Sequence, residues 1–202
     1  MTINFHSAFR ILFFPLVSIL MISCEHKPVT ETRYYNIDSL VDAQINLFRA
    51  GKTTLTKISL LNSKTDSSIT TPKDSLAWSN QLDVFKQLGV INKPTNKGLY
   101  TVTNEKDTKS NLMVRTFTAS KKKDLPLAFL KIYYHDTFTS IRKIEGSYAE
   151  KNYLYYNSLI LSMEFDNLYN KITLTNYTIK GTQKMVAGDT VNFTIHGKVK
   201  IN

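Results

Sequence analysis

The sequence predicts an α+β domain, with two N-terminal helices packed on a mainly antiparallel, curved sheet of about eight strands. Three observations carry that expectation. Apolar residues recur at helical spacing only early in the chain, near residues 36–50 and 71–89. After residue 98 the apolar period becomes two, the pattern of strands with one face in a core and one in water. The turns between those strands are short, so strands adjacent in sequence are expected to be adjacent in the sheet.

The first helix is read over residues 36–50. Ile37, Leu40, Val41, Ile45, Leu47 and Phe48 fall on one arc. Asn36 suits the N-cap, Asp38 the first turn and Gly51 the close. Thr53–Leu61 is rich in β-branched residues and reads as a strand. Asn62–Ser68 reads as a turn, followed by a short second strand ending at Thr70. Thr71-Pro72-Lys73-Asp74 has the order of a helix start, with a cap, a proline and then an acid. Trp78, Leu82, Phe85 and Leu88 form the stripe of that helix, Gly89 ends it and Pro94 prevents a restart. Leu112–Thr118, Leu127–Tyr134 and Ile141–Tyr148 are strands. So is the segment in which Leu159, Leu161, Met163 and Phe165 alternate with polar residues. Turns are placed at His135–Thr139, Asp166-Asn167 and Lys184–Asp189. Within Lys171–Lys180 the apolar phase slips from Ile172 and Leu174 to Tyr177 and Ile179, which predicts a β-bulge. Val191, Phe193, Ile195, Val199 and Ile201 form the inward row of the last strand.

Composition narrows the function classes. The chain has 202 residues, 42% of them hydrophobic, and a formal charge of +10. That hydrophobic share excludes a long disordered or collagen-like chain. A single cysteine excludes a disulfide framework and a four-cysteine zinc site. Lysine supplies 21 of the 26 positive residues. Arginine is the residue suited to bidentate phosphate recognition, so no nucleic-acid partner is expected. The basic charge fits instead either A+T-rich composition or attraction to anionic lipid or lipopolysaccharide near a membrane.

The N-terminus indicates export. Residues 1–23 carry one formal charge, Arg10, followed by the apolar run Ile11–Ile22 of 12 residues. A membrane-crossing helix needs about 20 such residues, so the run reads as the core of a secretory signal. It ends in Met21-Ile22-Ser23-Cys24, and Cys24 is the only cysteine. These four residues resemble the lipobox of bacterial lipoproteins: an aliphatic residue, a variable one, a small one, then cysteine. The resemblance implies that residues 1–23 are a signal peptide and that the Cys24 thiol receives diacylglycerol. Cleavage then leaves Cys24 first in a mature chain of charge +9. Two or three acyl chains anchor firmly without spanning. Glu25 after the cysteine, where enteric inner-membrane lipoproteins carry Asp, favours the outer membrane. Residues 24–34 are then a polar tether, and its stretch from Glu25 to Arg33 reaches at most about 30 Å. Residues 35–202 form one domain, for which no family resemblance is evident.

Candidate chemistry is sparse. His6 leaves with the signal and His26 lies in the tether, which leaves His135 and His196. Each reads as a polar strand residue, and no catalytic or metal ligand, and no cofactor, is assigned. Gly-x-Ser-x-Gly, the phosphate loop, the dinucleotide glycine turn, HExxH and the EF-hand spacing are all absent from the sequence. Glu164 and Asp166 fall on one face of a strand and read as solubilising. Tyrosine is concentrated late, with 9 of 11 at or after Tyr100. Tyr133-Tyr134 and Tyr153-Leu154-Tyr155-Tyr156 are expected to place rings on both sides of the sheet. Asp38-Ser39-Leu40, Asp74-Ser75-Leu76 and Asp189-Thr190-Val191 resemble the O-glycosylation signal of exported Bacteroidota proteins, which marks Ser39, Ser75 and Thr190 as candidate sites. The expected function is a non-enzymatic, lipid-anchored envelope protein that acts by binding. Two alternatives stand beside it: a half-barrel carrier of a hydrophobic ligand, and a secreted hydrolase built around His135 or His196.

Overall fold

A computed structural model describes residues 34–121, 124–168 and 170–201. Its first element is α1 (Ile37–Ala50). Asn36 caps it, accepting a hydrogen bond from the Ser39 N–H at 3.0 Å. The Gly51 N–H closes it on the Leu47 carbonyl at 3.2 Å. The buried arc holds Ile37, Leu40, Val41, Ile45 and Phe48 as the periodicity predicts, while Leu47 is only half-buried. The arc also contains Gln44, a polar residue that periodicity does not place in a core.

A hairpin follows, β1 (Thr53–Leu61) and β2 (Lys64–Thr70). The expected Asn62–Ser68 turn shrinks to Asn62 and Ser63, with Asn62 at φ 51°. β2 lies at the sheet edge with nearly every residue exposed, so hydrophobic alternation has nothing to register there.

The second helix, α2 (Ser75–Leu82), starts three residues later than its start signal suggests. Asp74, not Thr71, is the cap, and its carboxylate accepts from the Ala77 N–H at 2.8 Å. The helix then tightens into a 3-10 segment, Asp83–Asn92, that runs through Gly89 instead of ending there. A Cβ on Gly89 would meet the carboxylate of Asp38 on α1, an exposed side-chain end. The predicted stripe holds, with Trp78, Leu82, Phe85 and Leu88 all buried.

Seven strands complete the sheet: β3 (Tyr100–Lys106), β4 (Met113–Ala119), β5 (Leu127–Tyr134), β6 (Ile141–Lys151), β7 (Tyr155–Leu168), β8 (Lys171–Met185) and β9 (Thr190–Ile201). The order is β2-β1-β9-β8-β7-β6-β5-β4-β3, antiparallel throughout and open at β2 and β3. The sheet thus has nine strands, against about eight expected. The additional one is β3, an edge strand with only Tyr100 buried. The helices are not an N-terminal block either, because α2 falls between β2 and β3. Strand β7 runs through Asp166 and Asn167, which pair with Thr173 and Ile172, so the expected turn moves beyond Leu168.

The phase slip in β8 is a bulge. Glu164 pairs with Asn176 and Phe165 with Leu174, which leaves Thr175 as the extra residue. Gln44 of α1 serves the backbone there. Its carbonyl accepts from the Leu174 N–H at 2.8 Å, and its amide donates to the Ile172 carbonyl at 3.0 Å. A polar side chain in the core therefore satisfies backbone groups beside the irregular ladder.

The helices pack on the sheet face carrying Leu55, Leu130, Ile144, Leu161, Met163, Tyr177 and Val199. Phe48 meets Trp78 with ring centroids 4.8 Å apart, and Phe85 meets Tyr177 at 5.6 Å. On this face Tyr177 lies over Gly197 and Phe193 over Gly181, each ring filling the space a side chain would take on its cross-strand partner.

Candidate functional site

The opposite face of the sheet is uncovered among the described residues. Strand alternation and register identify its occupants. One row across the sheet reads Ile160, Lys180, Thr194 and Leu60. The next reads Ser162, Thr178, His196 and Ile58. A third reads Glu164, Asn176, Lys198 and Thr56. Lys184 and Lys200 lie on the same face nearer the strand ends.

On this face β8 and β9 carry Lys180, Lys184, Lys198, Lys200 and His196 among threonines, while β1 and β2 add threonines, Ser67 and the exposed Ile58, Leu60 and Ile69; among the described residues none of the four strands has a carboxylate there. The four lysines are exposed. The His196 Nδ1 lies 3.0 Å from the Thr178 hydroxyl, and the Thr182 hydroxyl donates to the Asn192 side-chain oxygen at 2.8 Å. A shallow hollow of about 290 Å³ has Lys180 in its wall together with Leu60, Ile160, Thr182 and Thr194. A cation set among hydroxyls, without a competing acid, suits an anionic group such as a phosphate.

The face changes character towards β7, β6 and β5, where acids meet cations. Lys143 pairs with Glu145 at 2.6 Å and Arg142 with Asp166 at 3.3 Å. The Tyr133 hydroxyl donates to Glu145 at 2.9 Å. Burial, then this carboxylate, push the Tyr133 phenol up to about 12. The acid-free character thus belongs to one half of the sheet.

A second recess opens on the helix side, where α2 and the 3-10 segment meet β7–β9. It measures about 370 Å³ and is lined by Leu159, Ile179, Phe193 and Ile195 together with Lys57, Gln81, Asn157 and Gln183. The Lys57 ammonium donates to the Gln81 side-chain oxygen at 3.3 Å.

Cys24, the signal peptide and the tether through Arg33 lie outside the described residues. Ser39 and Thr190 are exposed, and Ser75 is half-buried at the start of α2. His135 lies in a shallow bowl with Ser110, Glu164 and Asp166. The Ser110 hydroxyl donates to Asp107 at 2.6 Å, and Asp166 pairs with Arg142. His196 is on the opposite half of the sheet. Tyr133 and Tyr134 take opposite faces as predicted, whereas Tyr153 and Leu154 belong to a turn. Among the described residues no helix is long and apolar enough to cross a membrane, and no group of three or more His, Cys, Asp or Glu is placed to hold a metal ion. The lysine face itself was missed in the sequence. Its signal was a lack of Asp and Glu at alternate positions of the last two strands, legible once their register is known.

No family model, no curated protein and no solved structure matches the chain.

Proposed function

We propose that this protein is a lipid-anchored protein of the bacterial envelope that acts by binding and not by catalysis. In this reading the acylated Cys24 holds it at the membrane, the outer membrane in preference to the inner. The acid-free lysine face then engages anionic groups close by, such as the phosphates of lipid or lipopolysaccharide. One observation carries the binding partner: four exposed lysines and a histidine stand on β8 and β9, on a face where neither those strands nor the adjoining β1 and β2 carry a carboxylate among the described residues. A lysine near an anionic surface contributes about 1 kcal/mol.

A carrier role for a hydrophobic ligand, in a half-barrel of curved sheet, draws on the 370 Å³ recess beside Phe193 and Ile195. It has less support, since Phe48, Trp78, Phe85 and Leu88 fill the space between helices and sheet and polar side chains share the recess wall.

The binding reading is tested with the chain from residue 24 carrying Cys24→Ser, which removes the acylation site. Its sedimentation with phosphatidylglycerol vesicles should exceed that with phosphatidylcholine vesicles and should fall with added salt. Lys180→Glu combined with Lys198→Glu should abolish the difference. Equal binding to both lipids, or an unchanged preference in the double variant, contradicts the reading.

A further inference from the structure

The lysine face ends in an exposed apolar projection. Two turns build it, one between β6 and β7 and one between β8 and β9. Tyr153 is 97% exposed, Val186 76% and Leu154 69%, and Tyr156 and Met185 are also exposed. An isolated exposed apolar residue is ordinary, but a cluster of large ones marks an interaction surface. These side chains are held on ordered backbone. The Asn152 side-chain oxygen accepts from the N–H groups of Leu154, at 2.8 Å, and Tyr155, at 3.0 Å. The two turns are joined by the Val186 N–H, which donates to the Leu154 carbonyl at 3.0 Å. Met185 continues the ladder opposite Tyr155.

We propose that this tip enters the headgroup and upper acyl region of an anionic bilayer. The inference rests on the membrane-held reading above. Three features select a lipid surface as the occupant. The apolar groups stand at the turns that end two hairpins, and a fluid interface admits a projection without a preformed complementary pocket. Tyrosine is a side chain suited to the membrane–water boundary. Charge is placed to match: Lys184 is the cross-strand partner of Tyr156, and Lys151 is its partner on the other side. Of the nearby acids, Glu150 accepts a hydrogen bond from the Tyr155 hydroxyl at 3.1 Å, and Asp189 lies in the second turn. Glu150 pairs with Asn157 on the helix side of the sheet, so Tyr156, Lys151 and Lys184 adjoin the lysine face and can meet one anionic surface with it, Asp189 being the acid that the turns themselves carry.

The test uses the full acylated protein reconstituted in vesicles of brominated phosphatidylglycerol. Leu154→Trp introduces an indole at the tip. Leu76→Trp introduces one on α2, at a residue 71% exposed, on the helix side of the sheet. The buried native Trp78 gives the same background in both. Quenching should be marked for the Leu154 variant and slight for the Leu76 variant. In the Cys24→Ser chain, Leu154→Asp should weaken vesicle binding roughly tenfold or more. Equal quenching of both indoles, or none at position 154, overturns the tip. So does shielding of that indole in detergent that deepens with protein concentration, because the occupant is then a second copy of the chain. Failure of the underlying reading looks different: without acylation the wild-type protein does not stay with the vesicles at all.

Discussion

Gln44→Leu is the perturbation that bears most directly on how the helix layer and the sheet are joined. Gln44 is 4% exposed and bonds the Leu174 N–H at 2.8 Å and the Ile172 carbonyl at 3.0 Å. Leucine matches it roughly in size and leaves little cavity, so the packing term is small. The Leu174 N–H loses its partner in a buried setting and the Ile172 carbonyl in a half-buried one, each at a cost of about 1–3 kcal/mol. The carbonyl keeps a second lone pair and sits at the lower end. The expected loss is about 2–4 kcal/mol, a large share of the roughly 5–15 kcal/mol that holds a domain together. Urea unfolding followed by circular dichroism reads it as a lower midpoint with unchanged slope. Asp42→Ala, which breaks an exposed ion pair with Lys86 at 2.7 Å, is the comparison and should cost less than about 1 kcal/mol. If Gln44→Leu costs no more than Asp42→Ala, the link between Gln44 and the bulge is wrong.

Other outcomes follow from the same packing. Gly197→Ala places a methyl group against the Tyr177 ring and should cost about 1–3 kcal/mol. The cost should shrink when Tyr177 is already leucine, which a double-mutant cycle in urea measures. Burial pushes the Tyr177 phenol up to about 12, and Tyr100 is raised to about 12 mainly by burial as well. A raised phenol favours the neutral form in the folded state. Its stabilisation is full below the unfolded value near pH 10 and is lost as pH rises towards 12. Denaturation midpoints should therefore be flat to about pH 10 and then fall, less steeply in Tyr177→Phe; an identical fall in that variant contradicts the assignment. Intact mass of envelope-extracted protein reads the candidate glycosylation sites. An increment beyond the lipid should disappear in the Ser39→Ala, Ser75→Ala, Thr190→Ala triple variant, and a mass equal to the acylated chain alone contradicts glycosylation at these sites.

Much of the fold was legible where burial is one-sided. The α1 arc, the Trp78–Leu88 stripe and the last strand announced themselves because one face of each is apolar. The bulge was legible for the same reason, since a one-residue slip moves apolar residues between faces. Edge strands were harder. β3 buries only Tyr100, and β2 exposes nearly every residue, so neither shows alternation. The start of α2 was ambiguous because Thr71 and Asp74 are both competent caps, and tertiary packing selects between them. Gly89 looked like a terminator, but the 3-10 segment runs through it to Asn92. Gln44 was illegible because its role depends on a bulge about 130 residues away in sequence. The lysine face depends on register across four strands, which no single segment encodes.

The account turns on a fatty-acylated Cys24. Cells fed radiolabelled palmitate should incorporate label into the wild-type protein and none into Cys24→Ala, and the Cys24→Ala chain, exported on a signal peptide that is cut without acylation, should leave the membrane fraction on extraction with high salt. An unlabelled wild-type protein, or a Cys24→Ala protein that stays in the membrane fraction as fully as wild type, would contradict it.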